Sequence, residues 1–388
     1  MSENKKLGYG KVGNLGAALY AVSALFFPYI QYRPNRVLTG EAYRLWQIDG
    51  MQGIIYCAIM LVISLLLFVL PHKRRFMRAL LTLAAVFMTL FSLGQSAASL
   101  TSGDSIARAS MGAGFWLSLA SVFLMLSAAR LEYVHDRLFQ NALTLFSLSI
   151  FFVLLFLGVF DGLSVMREYL NRKETFLSQA SAHLILASTS VGAATLLGVP
   201  LAFALFSRKR LERAVFFLVN LGQTIPTLSL LGLLMVPLGY LSSKYQIIKS
   251  LGISGVGFWP AWIALFIYAL FPILHNALAG LQMVDPAVTQ AAFSVGMTKN
   301  QVFYKVQIPL AIPLMISGVR TALTQAMGNA VLAALIGGGG LGSLIFLGLA
   351  QSAPDLILLG TLPLVLLTFL TDALLGRVVV ALDKGGSL

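Results

Sequence analysis

One cysteine in 388 residues, Cys57, excludes an internal disulfide; it lies inside an apolar run and so says nothing of redox compartment. The four histidines, His72, His135, His183 and His275, stand far apart with no metal-ligand spacing. No HExxH, no GxSxG and no paired intramembrane carboxylates occur, which argues against an intramembrane enzyme. Charge is scarce as well. Asp, Glu, Lys and Arg make up 11% of the chain, where a soluble domain of this size carries about a quarter. Acidic residues are scarcest, 14 against 27 Lys and Arg, leaving a net charge of +13. Such a balance can attract nucleic acid, but the basic residues form short clusters between apolar runs. That arrangement orients a membrane protein, and no nucleic-acid partner is expected.

What is present is apolar sequence: 58% of the residues are hydrophobic and the mean hydropathy is +0.86. A helix needs about 20 apolar residues to cross the hydrocarbon core. About ten such runs occur, near 13–31, 52–71, 78–98, 111–129, 140–160, 180–206, 214–238, 257–280, 307–332 and 355–376. Helices are required because lipid offers backbone groups no partner, so the expected class is an all-α, multi-pass membrane protein. The opening MSENKKLGYGK precedes a run without a small-x-small cleavage site, which is therefore read as a span.

With both termini in the cytoplasm, the inner segments receive most of the basic residues: Lys5, Lys6 and Lys11; Lys73, Arg74, Arg75 and Arg78; Arg130 and Arg137; Arg208, Lys209, Arg210 and Arg213; Lys299 and Lys305; Arg377 and Lys384. The first outer loop, with Arg33, Arg36 and Arg44, runs against the trend. The polar stretch DGLSVMREYLNRKETF, beginning near residue 161, marks a boundary between an N-terminal membrane extension, 1–170, and a second half, 171–388, with about five spans in each.

Between two spans lies VDPAVTQAAFSVGMTKNQVFYKVQIPLAIP, on the cytoplasmic side. Asp285 can cap a helix that Pro286 begins. Val288, Ala291, Ala292 and Val295 recur on one apolar face, flattened by the two alanines. Gly296 permits a left-handed stop, and Thr298 with Gln301 forms a capping box for a second short helix leading to Pro309. The expected result is a helix, a sharp turn and a second helix on the cytoplasmic surface; an ordinary loop with good turn chemistry is the alternative.

This segment resembles the EAA signature of permease subunits of ATP-binding-cassette (ABC) importers, which runs E-A-A, three residues, G, nine residues, I-x-L-P. Here it reads Gln290-Ala291-Ala292, Gly296 and Val306-Gln307-Ile308-Pro309, with the spacing kept. Gln290 stands in place of the usual glutamate, so a salt bridge there becomes a neutral hydrogen bond. The resemblance covers about residues 175–385. Within it, NLGQTIPTLSLLGLLMVPLG, FIYALFPILHNALAGLQMVDPAV and AALIGGGGLGSLIFLGLAQ are similar to importers of glycine betaine, choline and related quaternary amines.

The resemblance implies a type I permease core at 171–388 with a coupling helix at about 285–305 that docks on a cytoplasmic ABC ATPase dimer. Asp285, Gln290, Ala291, Ala292, Gly296, Thr298 and Pro309 would form that coupling site. It implies further an extracytoplasmic substrate-binding protein, a second permease subunit, identical or different, and the bacterial cytoplasmic (inner) membrane. ATP and Mg²⁺ would serve the ATPase: this chain has neither a Walker A loop nor an LSGGQ-type signature and is expected to hydrolyse nothing and to bind no cofactor or metal. Another small solute, an amino acid or an ergothioneine-like betaine, is the alternative substrate. An ion-coupled secondary transporter is the rival class, which would want carboxylates or discontinuous helices near mid-membrane. A sensory or scaffold membrane protein would not need the coupling signature.

Other residues stand out within the spans. Asn220, Gln223, Thr224 and Thr227 surround Pro226, whose missing N–H kinks a helix and frees carbonyls; they line a translocation path or make interhelical hydrogen bonds. Pro272, with His275 and Asn276 after it, marks a similar bend, and His275 reads as a packing residue. Arg320 lies about 16 Å along the helix from Pro309; it reads either as a residue lining or gating the pathway or as a bundle contact with helix-end carbonyls, and Asn329 shares the ambiguity. Gly337, Gly338, Gly339 and Gly340 lack the Gly-Lys-Ser/Thr of a phosphate loop and read as an external turn, near the outer gate in the family resembled. Asp372 is placed near Arg377 as a local inner-face pair.

Overall fold

A computed structural model describes residues 3–35, 38–48, 50–71, 73–102 and 106–382, with residues 3–9 described by backbone alone. Arg36, His72 and Lys384, and the side chains of Lys5 and Lys6, lie outside the described residues. The chain divides into two compact units, Met1–Asn171 and Arg172–Leu388.

The first unit contains α1 (Glu3–Phe26), α2 (Met51–Val69), α3 (Arg75–Thr101), α4 (Ala113–Glu132), α5 (Arg137–Phe156) and the short α6 (Ser164–Asn171). Lipid gives helices little hydrophobic reason to associate, so small residues and buried hydrogen bonds hold membrane bundles together. That is how α1 is held. Its Ala17, Tyr20, Ser23 and Ala24 are fully buried; Ser23 meets Ser118 of α4 at 2.7 Å, and Tyr20 donates to the Ala85 carbonyl of α3 at 3.1 Å. Ser64 of α2 donates to the Ala17 carbonyl at 2.6 Å.

The span expected at 13–31 ends early, at Phe26, because Pro28 opens a strand. Three strands, β1 (Pro28–Arg33), β2 (Glu41–Arg44) and β3 (Arg108–Met111), form a small antiparallel sheet in the order β2-β1-β3. Ile30 faces Tyr43 on one side and Met111 on the other. Short-range pattern gives little sign of it, since β3 comes from a different loop than β1 and β2. Ser164 adds a third loop by donating to the Ala109 carbonyl at 2.9 Å. All three loops therefore lie at one end of the unit, as an even number of crossings between them requires.

The second unit opens with α7 (Lys173–Leu205), followed by α8 (Lys209–Thr224), α9 (Thr227–Lys244), α10 (Gln246–Ser250) and α11 (Phe258–Gln282). Next come α12 (Pro286–Ser294), α13 (Lys299–Val302), α14 (Ile308–Asn329), α15 (Gly342–Ala350) and α16 (Pro354–Leu382). The core is an apolar seam where α7, α11 and α14 meet, with Leu186, Ala187, Ala194, Ala264, Ile273 and Ala326 all buried. The seventh expected span, 214–238, is not one kinked helix. It stops at Thr224 and restarts at Thr227, with Pro226 in extended conformation as the N-cap of α9 (φ −57°, ψ 139°).

Nine stretches among the described residues are long and apolar enough to cross a membrane. The first expected span is not one of them, because Lys11, Asn14 and several glycines dilute α1.

Candidate coupling segment and membrane interior

The segment after α11 folds as its local chemistry dictates. Asp285 Oδ1 accepts the Ala287 N–H at 2.7 Å, and Pro286 takes the first helical position, where a missing N–H loses nothing. Helix α12 ends at Ser294 with Val295 as its C-cap, and Gly296 follows with a φ of +89° that no β-branched residue would adopt readily. That geometry lets the Met297 N–H reach back to the Ala292 carbonyl at 3.2 Å. The capping box is reciprocal: Thr298 Oγ1 accepts from Gln301 N–H at 3.4 Å, and Gln301 Oε1 accepts from Thr298 N–H at 2.8 Å.

From α13 the chain enters the next span without a break. Residues Phe303–Gln307 form a π-helical turn in which the Ile308 N–H bonds to the Phe303 carbonyl. Pro309 follows and cannot donate, so the wider turn carries the ladder past it. Phe303 anchors the turn against Phe203 and Phe206 near the end of α7, with ring centroids 5.7 and 6.0 Å away.

The exposed surface of the segment is not the single face expected. Ala292 turns inward, with 9% exposure, while Val288, Val295, Phe293 and Tyr304 are exposed at 42, 78, 46 and 65%. Gln290 and Ala291 are exposed as well. A segment this well capped at both ends, yet so open along its length, is a preformed ledge.

Inside the membrane, two prolines organise a connection between α8, α9 and α11. Pro272 provides no N–H for the Tyr268 carbonyl four residues earlier. Gln223 supplies the bond instead, its Nε2 donating to that carbonyl at 2.8 Å. Tyr268 in turn donates its hydroxyl to the Ile225 carbonyl, at 2.5 Å, in the break before α9. Gln223 is thus an interhelical tie. Asn220, Thr224 and Pro226 are exposed and Thr227 is half-buried; the Thr224 hydroxyl donates to its own helix at Leu221. His275 stacks on Phe271 at 5.7 Å and meets Phe216 edge-on at 6.1 Å.

Arg320 finds a carboxylate rather than carbonyls. Its Nε and Nη2 donate to the two oxygens of Asp372, each at 2.6 Å, joining α14 to α16. Asp372 therefore pairs across 52 residues and not with Arg377, and it lies inside α16, ten residues before the helix ends at Leu382. The two side chains keep 38 and 35% of their surface accessible. Asn329, half-buried, closes α14, where the helix tightens to a 3-10 form over Ala330–Ile336.

The four-glycine turn comes next. Gly337, Gly339 and Gly340 have φ of +76°, +73° and +90°. Helix α7 supports the turn from below. Gln179 Oε1 accepts the Gly340 N–H at 2.8 Å and the Ser343 hydroxyl at 3.3 Å. His183, fully buried, places Nε2 3.0 Å from the Met327 carbonyl, and a Cβ on Gly340 would come within 2.9 Å of its Nδ1. The Gly257 N–H donates to the Ile336 carbonyl at 2.6 Å. The sequence alone assigns no role to Gln179 or Tyr268, and of His183 it shows only the lack of metal-ligand spacing. Only Tyr268 carried a signal, its placement four residues before Pro272. Among the described residues no group of His, Cys, Asp or Glu is placed to hold a metal.

The class that this fold and ledge define is a helical, multi-pass membrane subunit with a capped helix-turn-helix between two spans. Residues 194–385 match the family described as "Binding-protein-dependent transport system inner membrane component", and residues 9–166 match "ABC transporter permease YehY, N-terminal domain". The chain is 35% identical over 214 residues to the glycine betaine/carnitine/choline transport system permease protein OpuCB of Bacillus subtilis, covering 53% of this chain and 91% of the relative. It is 36% identical over 204 residues to the osmoprotectant import permease protein OsmW of Salmonella typhimurium, covering 53% and 90%. Among solved structures, an inward-facing MetNI methionine ABC transporter chain is similar at 20% identity, with a TM-score of 0.47, over 55% of this chain and 99% of that one. This protein belongs to the family of binding-protein-dependent ABC importer permeases. It is a membrane subunit of such a system, with a second, N-terminal domain of its own kind.

Proposed function

We propose that this permease imports a quaternary-amine osmolyte of the glycine betaine, choline or carnitine type, delivered by an extracytoplasmic binding protein and driven by a separate cytoplasmic ATPase pair. The observation that carries the mechanism is the ledge at Asp285–Gln301, rigidly capped and exposing Val288, Phe293 and Val295. Apolar groups held open on a preorganised surface favour a partner, because docking buries them without a large ordering cost. The substrate class rests on the relatives' names and on the three stretches that resemble osmoprotectant permeases.

In this mechanism, closure of the ATPase pair on ATP pushes the ledge. Phe303 and the π-turn transmit the movement to α7 and α14, and two permease subunits alternate access between the faces. Arg320, Asn329 and the polar residues near Pro226 border the path, while Gly337–Gly340 form part of the outer gate. Both termini face the cytoplasm of a bacterial inner membrane, and ATP with Mg²⁺ is used by the partner alone.

The rival ion-coupled mechanism has one feature to recommend it, the intramembrane Asp372. That carboxylate has both oxygens engaged by Arg320, which opposes cation binding. Uptake of labelled glycine betaine into proteoliposomes holding this chain, its ATPase and its binding protein tests the proposal. Uptake that needs ATP and ignores imposed ion gradients supports it. ATPase activity stimulated by the binding protein without betaine uptake rejects the substrate alone, and gradient-driven uptake without ATP rejects the mechanism.

A further inference from the structure

The N-terminal unit carries an open cleft of about 660 Å³ lined by Lys73, Arg74, Arg75, Phe76, Met77 and Tyr133. It lies where the α2–α3 turn meets the end of α4. The charges around it fall into two groups. Arg78 is 5% exposed and spent on structure: it donates to the Leu67 carbonyl at 2.7 Å, the Leu70 carbonyl at 3.1 Å and Asn14 Oδ1 at 3.2 Å, and it pairs with Glu132 at 3.8 Å. Of the neighbouring carboxylates, Glu132 faces Arg78 through Oε1 and is turned inward, its Oε2 buried, and Asp136 caps α5, accepting the Phe139 N–H at 3.0 Å. Arg75 donates Nη1 to the Glu132 carbonyl at 3.2 Å, which fixes it at the cleft wall without neutralising it, and with Lys73 and Arg74 it leaves surplus positive charge around the cleft.

The apolar part of the lining decides what kind of anion fits. Phe76 and Met77 are 67 and 45% exposed, and Leu80, one turn on, is 53% exposed along the outer side of α3. Tyr133 forms a stiff wall by stacking on Phe139. A soluble anion would engage the cations alone, while the apolar strip belongs to a membrane-spanning helix and faces acyl chains. A phospholipid would meet both, with its phosphate among the cations and its acyl chain along Phe76, Met77 and Leu80.

We propose that this cleft binds the headgroup of an anionic phospholipid, making the N-terminal unit a lipid-contacting module. Basic pockets between helices at the membrane interface take anionic headgroups by this chemistry. The inference does not depend on the substrate proposed above.

The test is native mass spectrometry of the purified full chain, titrated with phosphatidylglycerol, phosphatidylcholine and inorganic phosphate. Phosphatidylglycerol is expected to be retained at least about tenfold better than phosphatidylcholine. K73Q/R74Q is expected to lose most of that preference, at about fivefold per cation removed, whereas K73R/R74K keeps it. F76S is expected to weaken phosphatidylglycerol binding without changing phosphate binding. In the wild-type chain, raising salt from about 50 mM to about 500 mM is expected to weaken the preference through screening, a measurement independent of how any variant folds. Equal retention of the two lipids, a preference insensitive to salt, or full preference in a folded K73Q/R74Q would overturn the proposal. So would displacement of phosphatidylglycerol by low-millimolar phosphate, which would mark a site for a free anion.

Discussion

Arg320→Leu should do more harm than the loss of one surface ion pair. In this structure the guanidinium reaches both oxygens of Asp372 at 2.6 Å, the bidentate geometry in which charge-assisted bonds are strongest. Removing it leaves a carboxylate in α16 ten residues from the helix end. An unpaired charge at the centre of a span costs about 3 kcal/mol, and breaking a fully buried pair about 3–5 kcal/mol. The side chains here retain 38 and 35% accessibility, so partial screening reduces the expected loss to about 2 kcal/mol for Arg320→Leu and similarly for Asp372→Leu. The double variant has no orphan charge and should lose only about 1 kcal/mol, giving a coupling near 3 kcal/mol in a double-mutant cycle. Each single variant would then melt about 4–8 °C lower, by the scaling for domains of 150–250 residues. Arg320→Lys should fall between, because a point charge cannot match the fork. Thermal unfolding of the four proteins in nanodiscs, read beside transport, checks this. Single variants as stable as the wild type, or a double variant showing the sum of the two losses, would refute the reasoning.

The remaining predictions concern the ledge and the ties behind it. Ala291→Trp should leave the melting temperature unchanged and abolish ATP-coupled uptake, since Ala291 is exposed; Ala292→Trp should destabilise the fold, because Ala292 is buried. The contrast is read from melting curves and uptake on the same preparations. Gly296→Val should uncouple transport in an assembled complex, since a β-branched residue at φ +89° reshapes the turn between α12 and α13. Tyr268→Phe strands the Ile225 carbonyl and should cost about 1–3 kcal/mol, with Gln223→Leu similar through the Tyr268 carbonyl; thermal unfolding tests both. Gly340→Ala combines φ +90° with a 2.9 Å approach to His183 and should impair uptake more than Gly337→Ala, whose Cβ meets nothing within 4 Å.

The helix-turn-helix at 285–301 was legible because each of its signals is local: a carboxylate before a proline, a glycine at the stop, a threonine three residues before a glutamine. Such bonds close over two to five residues, and no distant contact is needed to form them. The spans were legible for a related reason, since lipid demands long apolar helices wherever they sit in the chain. The sequence alone thus determined the membrane class, most span positions and the capped ledge. Tertiary structure decided which ledge residues face out, and that Pro226 breaks its span rather than bending it, with Tyr268 capturing the freed Ile225 carbonyl. It also decided that Asp372 answers Arg320 across 52 residues, that Gln179 and His183 support the glycine turn, and that two separate loops share one small sheet to which a third is tied by Ser164. These are partnerships between segments far apart in the chain, set by which helices pack together, and packing in lipid depends on small-residue shape and hydrogen-bond geometry that no short-range pattern encodes.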